Sequence, residues 1–423
     1  MTAHSPRILT EGETSLIDAV ARSTFDGDTS ARKAAVDAIE ANGLPTRRVE
    51  YYHYTDLRAL LKGGFEPAAP VSEEVARDAG KPYPRLASDA CVLHFRDGYY
   101  HDFGEALPAG ISVTDGLPEA PSATSNADAT SLINAAVAIG GVTVEIADGV
   151  EVDRVLGLAH AQTGAANTAS GTRFAVNAGA GSKATVIERA CGPNGNGYLN
   201  SSHVDITVGE GATLTYILSI EEGDAASRMG RLTVDLGKDA TINLFVLNAG
   251  GKLVRQEIVF DCRGEGGHVE IAGINLVGGE AHIDVTSTIN HHVANTTANE
   301  LFRNVCTGRG RGVFQGQINV AQPAQLTDAK MACNTLLLSD DCDFSAKPEL
   351  EIFADDVQCG HGATVTDLEP SYLFYLMARG ISETRARRLL IKAFVAEAFE
   401  PMEDEKLEEA LEARMDDWLD ANV

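Results

Sequence analysis

The sequence predicts a mainly-β protein: a stacked-coil β-helix with α-helical regions before and after it. Three observations lead there. A turn-to-strand pattern recurs as GSKATVIE, GEGATLTY, GKDATINL and GEGGHVEI, whose fourth residues Ala184, Ala212, Ala240 and Gly267 are 28, 28 and 27 residues apart. So even a step, with glycine at the same corner, means one coil repeated along an axis, each coil burying its inward residues against the next. From about Val142 the texture is one of period-two strands, VTVEI, RFAVNA, HVDITV, LTVDL and HVEIAGINL, parted by glycine turns. Both ends of the chain instead carry apolar residues at helical spacing. A β-sandwich is the alternative, but it does not require an even step.

In order along the chain, the first hundred residues read as helical. GETSLIDAVARSTF and TSARKAAVDAIEANG have apolar residues three and four apart, and Asn42–Gly43 stops the second. GLPTRRVEYYHYTDLRALL is a proline turn, an aromatic run and a short helix. Residues 105–131, rich in Pro, Gly, Ser and Ala, read as an irregular crossing segment, and LINAAVAIGG as one more helix. The solenoid takes residues 140–365, with Thr, Ile, Val and Asn at matching positions suited to stacking. EPSYLFYLMARG then forms a helix with Gly380 at its C-cap. Ser382 caps ETRARRLLIKAFVAEAFE, which stops at Pro401. EDEKLEEALEARMDDWLDA sets Leu407, Leu411, Met415, Trp418 and Leu419 at helical spacing. Solenoid ends need cover, so these helices are expected to pack on an end or to face a partner. The expected division is a helical domain at 1–104, linker and β-helix core at 105–365, and a helical domain at 366–423.

A chain of 423 residues has room for a large core. Its formal charge of -27 repels phosphate, which argues against a nucleic-acid or anionic-membrane role. The start, MTAHSPRILTEGETSLIDAV, lacks a basic region followed by an apolar stretch, and no apolar run approaches a membrane span. A cytoplasmic protein without a secretory leader is expected. The seven cysteines, at 91, 191, 262, 306, 333, 342 and 359, are odd in number, widely spaced and free of C-x-x-C. That is neither a disulfide framework nor a zinc knuckle, and most are expected as buried small hydrophobes. No P-loop, G-x-S-x-G or H-E-x-x-H occurs. Adjacent His291 and His292 point to opposite faces of a strand and so do not share a metal.

The stretch EIFADDVQCGHGATV, residues 351–365, concentrates the chemistry. Leu350, Ile352 and Ala354 alternate on one parity; Val357, Cys359, His361, Ala363 and Val365 alternate on the other. The switch at Asp355–Asp356 is where a corner belongs. Cys359 and His361 then face one side of a strand with Cα atoms on the order of 7 Å apart. A thiolate and an imidazole at that spacing can reach a common metal, but two ligands do not close a site. Packing with one satisfied hydrogen bond is the plainer account of the pair.

Residues 347–400, KPELEIFADDVQCGHGATVTDLEPSYLFYLMARGISETRARRLLIKAFVAEAFE, resemble the signature of the SufB/SufD iron–sulfur cluster assembly family. GRGVFQGQINVAQPAQLTDAKMACNTLLLS (310–339) resembles the segment before it. GLPTRRVEYYHYTDL looks like the family's N-terminal motif, with Tyr52 where tryptophan is usual, and IADGVEVDRVLGLAHA is similar to its first β coils. CGHGATV resembles the SufD type; the SufB type carries a Glu-His-Glu-Ala-Thr-Thr-like sequence there. The resemblance implies a right-handed parallel β-helix flanked by helical domains. It also implies a non-enzymatic scaffold subunit that joins a SufB-like protein and a SufC-like ABC ATPase to assemble and transfer clusters. His361 matches a SufD histidine at the heterodimer interface, linked to building the cluster with a SufB cysteine, so an iron–sulfur cluster or iron held transiently and shared with the SufB-like partner is implied. Cys359 matches the motif cysteine, as support more than as ligand. Cys342 falls where SufB has its assembly cysteine, which SufD chains commonly lack. The C-terminal helices of the family dock the ATPase, which points to Tyr372, Phe374, Tyr375, Arg379, Arg387, Arg388, Leu389, Leu390 and Phe394. A homodimer of the isolated chain is a further expectation. Some complexes of the family use reduced flavin, although no flavin-binding motif is present here, and no cofactor is expected in the isolated chain.

A β-helix enzyme acting on carbohydrate is the alternative of another class. It needs facing carboxylates and aromatic platforms, whereas Asp355 and Asp356 are adjacent, aromatics are 6% and there is one Trp. A structural adaptor without metal chemistry is the third reading.

Overall fold

A computed structural model describes residues 8–25, 27–121, 123 and 125–423. Residues 1–7, on which part of the leader expectation rests, lie outside these, as do 26, 122 and 124, the last two in the segment expected to be irregular. In chain order the helices are α1 (Glu11–Arg22), α2 (Thr29–Asn42), α3 (Leu57–Leu60), α4 (Glu73–Gly80), α5 (Ala129–Val137), α6 (Pro370–Met377), α7 (Glu383–Val395) and α8 (Glu405–Asn422). The strands are β1 (Glu66–Pro67), β2 (Cys91–Arg96), β3 (Tyr99–His101), β4 (Ile111–Asp115), β5 (Ala138–Ile146), β6 (Leu156–Ala161), β7 (Thr168–Ala178), β8 (Lys183–Cys191), β9 (Leu199–Val208) and β10 (Thr213–Glu221). They continue as β11 (Ser227–Leu236), β12 (Thr241–Asn248), β13 (Leu253–Cys262), β14 (His268–Val277), β15 (His282–His291), β16 (Thr297–Cys306), β17 (Arg311–Val320), β18 (Asp328–Leu337), β19 (Asp343–Ile352) and β20 (Gln358–Thr366).

From β5 onward the odd strands stack into one sheet and the even strands into another, each pairing in parallel with the strand two positions on. This is the parallel β-solenoid that the repeat predicts. Its register moves one of the predicted repeats, however. Ala184 pairs with Leu214, not Ala212, and the in-register residues Lys183, Thr213, Thr241 and His268 step by 30, 28 and 27. The corner explains the shift. Its left-handed residue is Gly181 (φ 65°), Gly211 (φ 65°), Asp239 (φ 51°) or Gly266 (φ 75°), so the first repeat begins two residues earlier, at Gly179.

Other readings change too. Within the first hundred residues the helices stop at Gly80, and β2 and β3 form a hairpin on the second sheet. Its turn is Asp97–Gly98, both at positive φ (47° and 88°), the residue pair such a turn favours. The crossing segment contains β4, antiparallel to β5. LINAAVAIGG is helix only to Val137. Ser382 stands at the α7 N-cap without a side-chain hydrogen bond.

Three cores hold the molecule together. Inward residues of both sheets, from Cys91 to Ala354, form the lumen core. On the outer face of the odd sheet lie α1, α2 and α5, buried through Leu16, Ile39, Leu132 and Ile133 against Leu199, Met229 and Leu253. The Glu50–Thr55 motif is pinned to the same face. Tyr52 is fully buried, its ring 4.6 Å from the Arg255 guanidinium and its hydroxyl donating to Glu257 at 3.0 Å. Thr55 bonds His282 Nε2 at 2.8 Å and also Asp284. On the outer face of the even sheet, Ile391, Val395, Phe399, Leu407, Leu411, Met415 and Leu419 pack on Ile217, Phe245, Leu247 and Ile274. The C-terminal helices therefore cover a sheet face rather than the solenoid end, because their apolar stripe matches the outward aliphatic residues of the even strands.

The lumen is not wholly apolar. Early coils enclose Glu188, with Arg228 at 2.9 Å, Tyr216 at 2.9 Å and Ser202 at 2.6 Å. These bonds and the nearby His160 hold the Glu188 carboxyl down at about 2 against the cost of burial. Later coils stack Asn248, Asn275 and Asn304 in register, each amide donating to the next, and Asn304 ends the ladder on Thr335 at 3.2 Å.

Candidate functional site

The solenoid ends at β19 and β20. Among the described residues each pairs on one side only, β19 with β17 and β20 with β18. The alternation of a parallel ladder fixes which groups point outward. Gln358 N–H donates to Thr327 at 2.8 Å, so Cys359, His361 and Ala363 aim their backbone groups at the open edge. On β19, Asp343 N–H donates to Gly310 at 3.0 Å, so even-numbered residues aim outward and Pro348 leaves a gap in that row of donors. The even sheet thus offers the unbroken edge. Val365 (44% exposed) lies on β20, and Phe353 (66%) directly follows β19.

His361 is exposed on β20, in register with Met331 and, one coil further in, with Glu300. It therefore continues an inward column at the point where the lumen opens. Cys359, two residues back on the same face, is half-buried against the lumen core, in register with Ala329. Burial pushes its thiol up, so it is not poised as a thiolate. Asp355 and Asp356 form the corner: Leu326 N–H donates to the Asp356 carbonyl at 2.6 Å. They do not face each other as an acid and base would. His291 and His292 part as expected, one bonded to Thr296 at 2.7 Å and the other to Asp261 at 2.6 Å.

Cys342 is not brought to this pair. It precedes β19, whose 10 residues run about 30 Å to the corner before Cys359. It is buried beside Cys306 instead. Among the described residues no three His, Cys, Asp or Glu side chains gather as a metal group.

The residues expected to dock an ATPase divide in two. On α6, Tyr372 (64%), Phe374 (73%) and Tyr375 (54%) are exposed, and the Arg379 guanidinium stacks 3.5 Å from the Tyr375 ring. Leu389 is exposed on α7, Leu390 is half-buried, and Arg387 bonds Glu383 at 2.9 Å. Arg388 and Phe394 instead turn inward. Arg388 ties α7 to α8 through Asp420 and Leu419, and Phe394 packs on the even sheet under Arg303. They are held by the chain's own packing.

Sequence reasoning missed Glu300. It is fully buried in the lumen, neither carboxylate oxygen has a hydrogen-bond partner among the described residues, and burial pushes the carboxyl up to about 7. Its alternation with Ala298, Phe302, Asn304 and Cys306 was the available signal, since that parity faces inward.

A stacked parallel solenoid with helical flanks and a Cys-x-His on its last strand defines the class. A family model described as "SUF system FeS cluster assembly, SufBD core domain" matches residues 160–394. The chain is 30% identical over 383 residues to the iron–sulfur cluster assembly protein SufD of Escherichia coli K12, covering 88% of this chain and 89% of that one. It is 33% identical over 205 residues to an iron–sulfur cluster assembly SufBD family protein of Synechocystis, covering 48% and 45%. It is 30% identical over 222 residues to the chloroplastic protein ABCI7 of Arabidopsis thaliana, covering 52% and 47%. The chain belongs to the SufB/SufD family of iron–sulfur cluster assembly proteins. Within that family it is of the SufD type.

Proposed function

We propose that the chain is a non-catalytic scaffold subunit that pairs with a SufB-like protein and carries a SufC-like ABC ATPase, and that the cluster is its cargo. One observation carries this reading: His361 is exposed on the last strand of an open-ended solenoid, beside backbone donors with no partner among the described residues. A ligand set left incomplete in one chain is completed by a second chain that adds its own strand and thiols at that edge. Nascent clusters need soft thiolates together with exchangeable positions, so that the cluster can leave. An imidazole suits the exchangeable position because it protonates near neutral pH. Cys359 supports the imidazole from the adjoining inward position. The uncovered aromatic face of α6 receives the ATPase, whose closure moves the two scaffolds and opens the shared site. Isolated, the chain pairs with itself through the same edge. Among the described residues no helix is long and apolar enough to cross a membrane; the working compartment is proposed to be the cytoplasm, although one relative is named as chloroplastic.

The test is anaerobic iron and sulfide loading of the purified pair, wild type against His361→Ala. The expected result is a loss of most of the cluster absorbance with the pair still intact on gel filtration. Equal cluster yield would assign His361 to packing alone.

A further inference from the structure

The seven cysteines all carry free thiols, yet two of them meet. Cys306 ends β16, and Cys342 closes the corner between β18 and β19, one coil later. The Cys342 sulfur lies 3.3 Å from the carbonyl oxygen of Cys306 and 3.1 Å from that of Ser339. The Cys306 sulfur lies 3.3 Å from the Gly310 carbonyl oxygen and 3.7 Å from that of Asp343, the residue after Cys342. Each sulfur thus touches backbone at or next to the other cysteine. The corner is fixed on both sides: Leu338 N–H donates to the Cys306 carbonyl at 2.8 Å, and Asp343 N–H to Gly310 at 3.0 Å. Two thiols held in reciprocal contact by a rigid ladder need little backbone movement to join.

We infer that Cys306 and Cys342 form a redox dithiol that closes to a disulfide by exchange with a low-molecular-weight disulfide, stapling the strand that leads into the open end of the solenoid. Cys342 reacts first. It is 7% exposed on a corner between exposed Asp341 and Asp343, whereas Cys306 is fully buried, and burial together with the neighbouring thiol pushes the Cys306 proton affinity up. The Cys342 sulfur, giving up its proton, attacks one sulfur of the oxidant. That S–S bond breaks, and the leaving thiolate takes the proton. The Cys306 sulfur, losing its own proton in turn, attacks Cys342 in the mixed disulfide and expels the second thiol. Two S–H bonds are lost, one S–S bond is gained, and the oxidant is reduced by two electrons to two thiols. Asp340, Asp341 and Asp343 surround the entry, so a cationic disulfide is preferred over an anionic one. This site is separate from His361 and does not depend on the scaffold reading.

The experiment uses the reduced full-length chain under native conditions, with cystamine as the cationic oxidant and glutathione disulfide as the anionic one. The expected product is lighter by about 2 Da, contains a Cys306–Cys342 linked peptide, and shows two fewer thiols than the original seven after denaturation. Cystamine should react about tenfold faster at low salt, with the difference shrinking as salt rises. Cys306→Ser should stop at a cysteamine adduct on Cys342, Cys342→Ser should block linkage, and Cys359→Ser should leave it unchanged. Peptide mapping of the wild type keeps the test valid if a buried serine variant fails to fold. A stable adduct on wild-type Cys342, or linkage that needs denaturant, would overturn the inference.

Discussion

Glu300 is a carboxyl buried in the lumen with neither oxygen in a hydrogen bond among the described residues and only the Ser287 hydroxyl near enough to ease its charge. Its folded pKa of about 7 lies above the ordinary 4.5. The sign follows: the acid is neutral in both states below pH 4.5, and as pH rises through 7 the folded chain is penalised for the charge it must carry or the proton it must keep. At pH 8 that penalty is on the order of 3 kcal/mol. Glu300→Gln should therefore raise the thermal midpoint at pH 8 by several degrees and change it little at pH 4.5, as read by paired melts. Glu188 carries the opposite dependence. Held at about 2 by His160, Arg228 and hydrogen bonds, it stabilises the fold above its ordinary 4.5, and that support is lost as pH falls toward 2. At this scale the sequence was only partly legible. Parity placed Cys359 and His361 on one strand face, but which carboxylates lack partners depends on neighbours a coil away, some thirty residues off in the chain. The separation of Cys342 from His361 was equally hidden, because it depends on where along the strand each falls.

Among elements, α6 is the clearest candidate for partner contact, since Phe374 is 73% exposed and touches no core. Phe374→Asp should leave the melting midpoint of the free chain within about 1 °C and abolish co-purification with a SufC-like ATPase. Retained binding would place the ATPase elsewhere. The helical termini and the strand alternation were legible because each signal is local. Asn42–Gly43 ends α2 as read, with Gly43 at φ 65°. The β2–β3 hairpin lies inside the stretch that the reading of the first hundred residues as helical covers, although Asp97–Gly98 is a strong local turn signal. The repeat was found but its first phase was not, since matching Ala184 to Ala212 weighs side chains over the left-handed corner that sets the register. Where α7 and α8 pack was not legible at all. An apolar stripe says that a helix is covered, not by which surface.

At the scale of the whole molecule, the two sheet edges at the solenoid end differ by one residue. Pro348 interrupts the outward donors of β19, while β20 has none missing. Ala363→Pro removes a donor from the open edge of β20 and none from its ladder with β18. It should weaken self-pairing and pairing with a SufB-like protein at least about tenfold, measured by sedimentation, with the fold intact by circular dichroism. Unchanged association would mean that the partner binds some other surface. The far end of the molecule is unlike this one: β3 and β4 are only 3 and 5 residues long and run antiparallel to their neighbours. On the proposed reading, a rod adhesive at one tip can take one mate there. Growth into fibres is then closed to it, despite a body built from the same cross-strand stacking that makes amyloid, and a copy mated to its twin must part from it before a SufB-like chain can take the same edge.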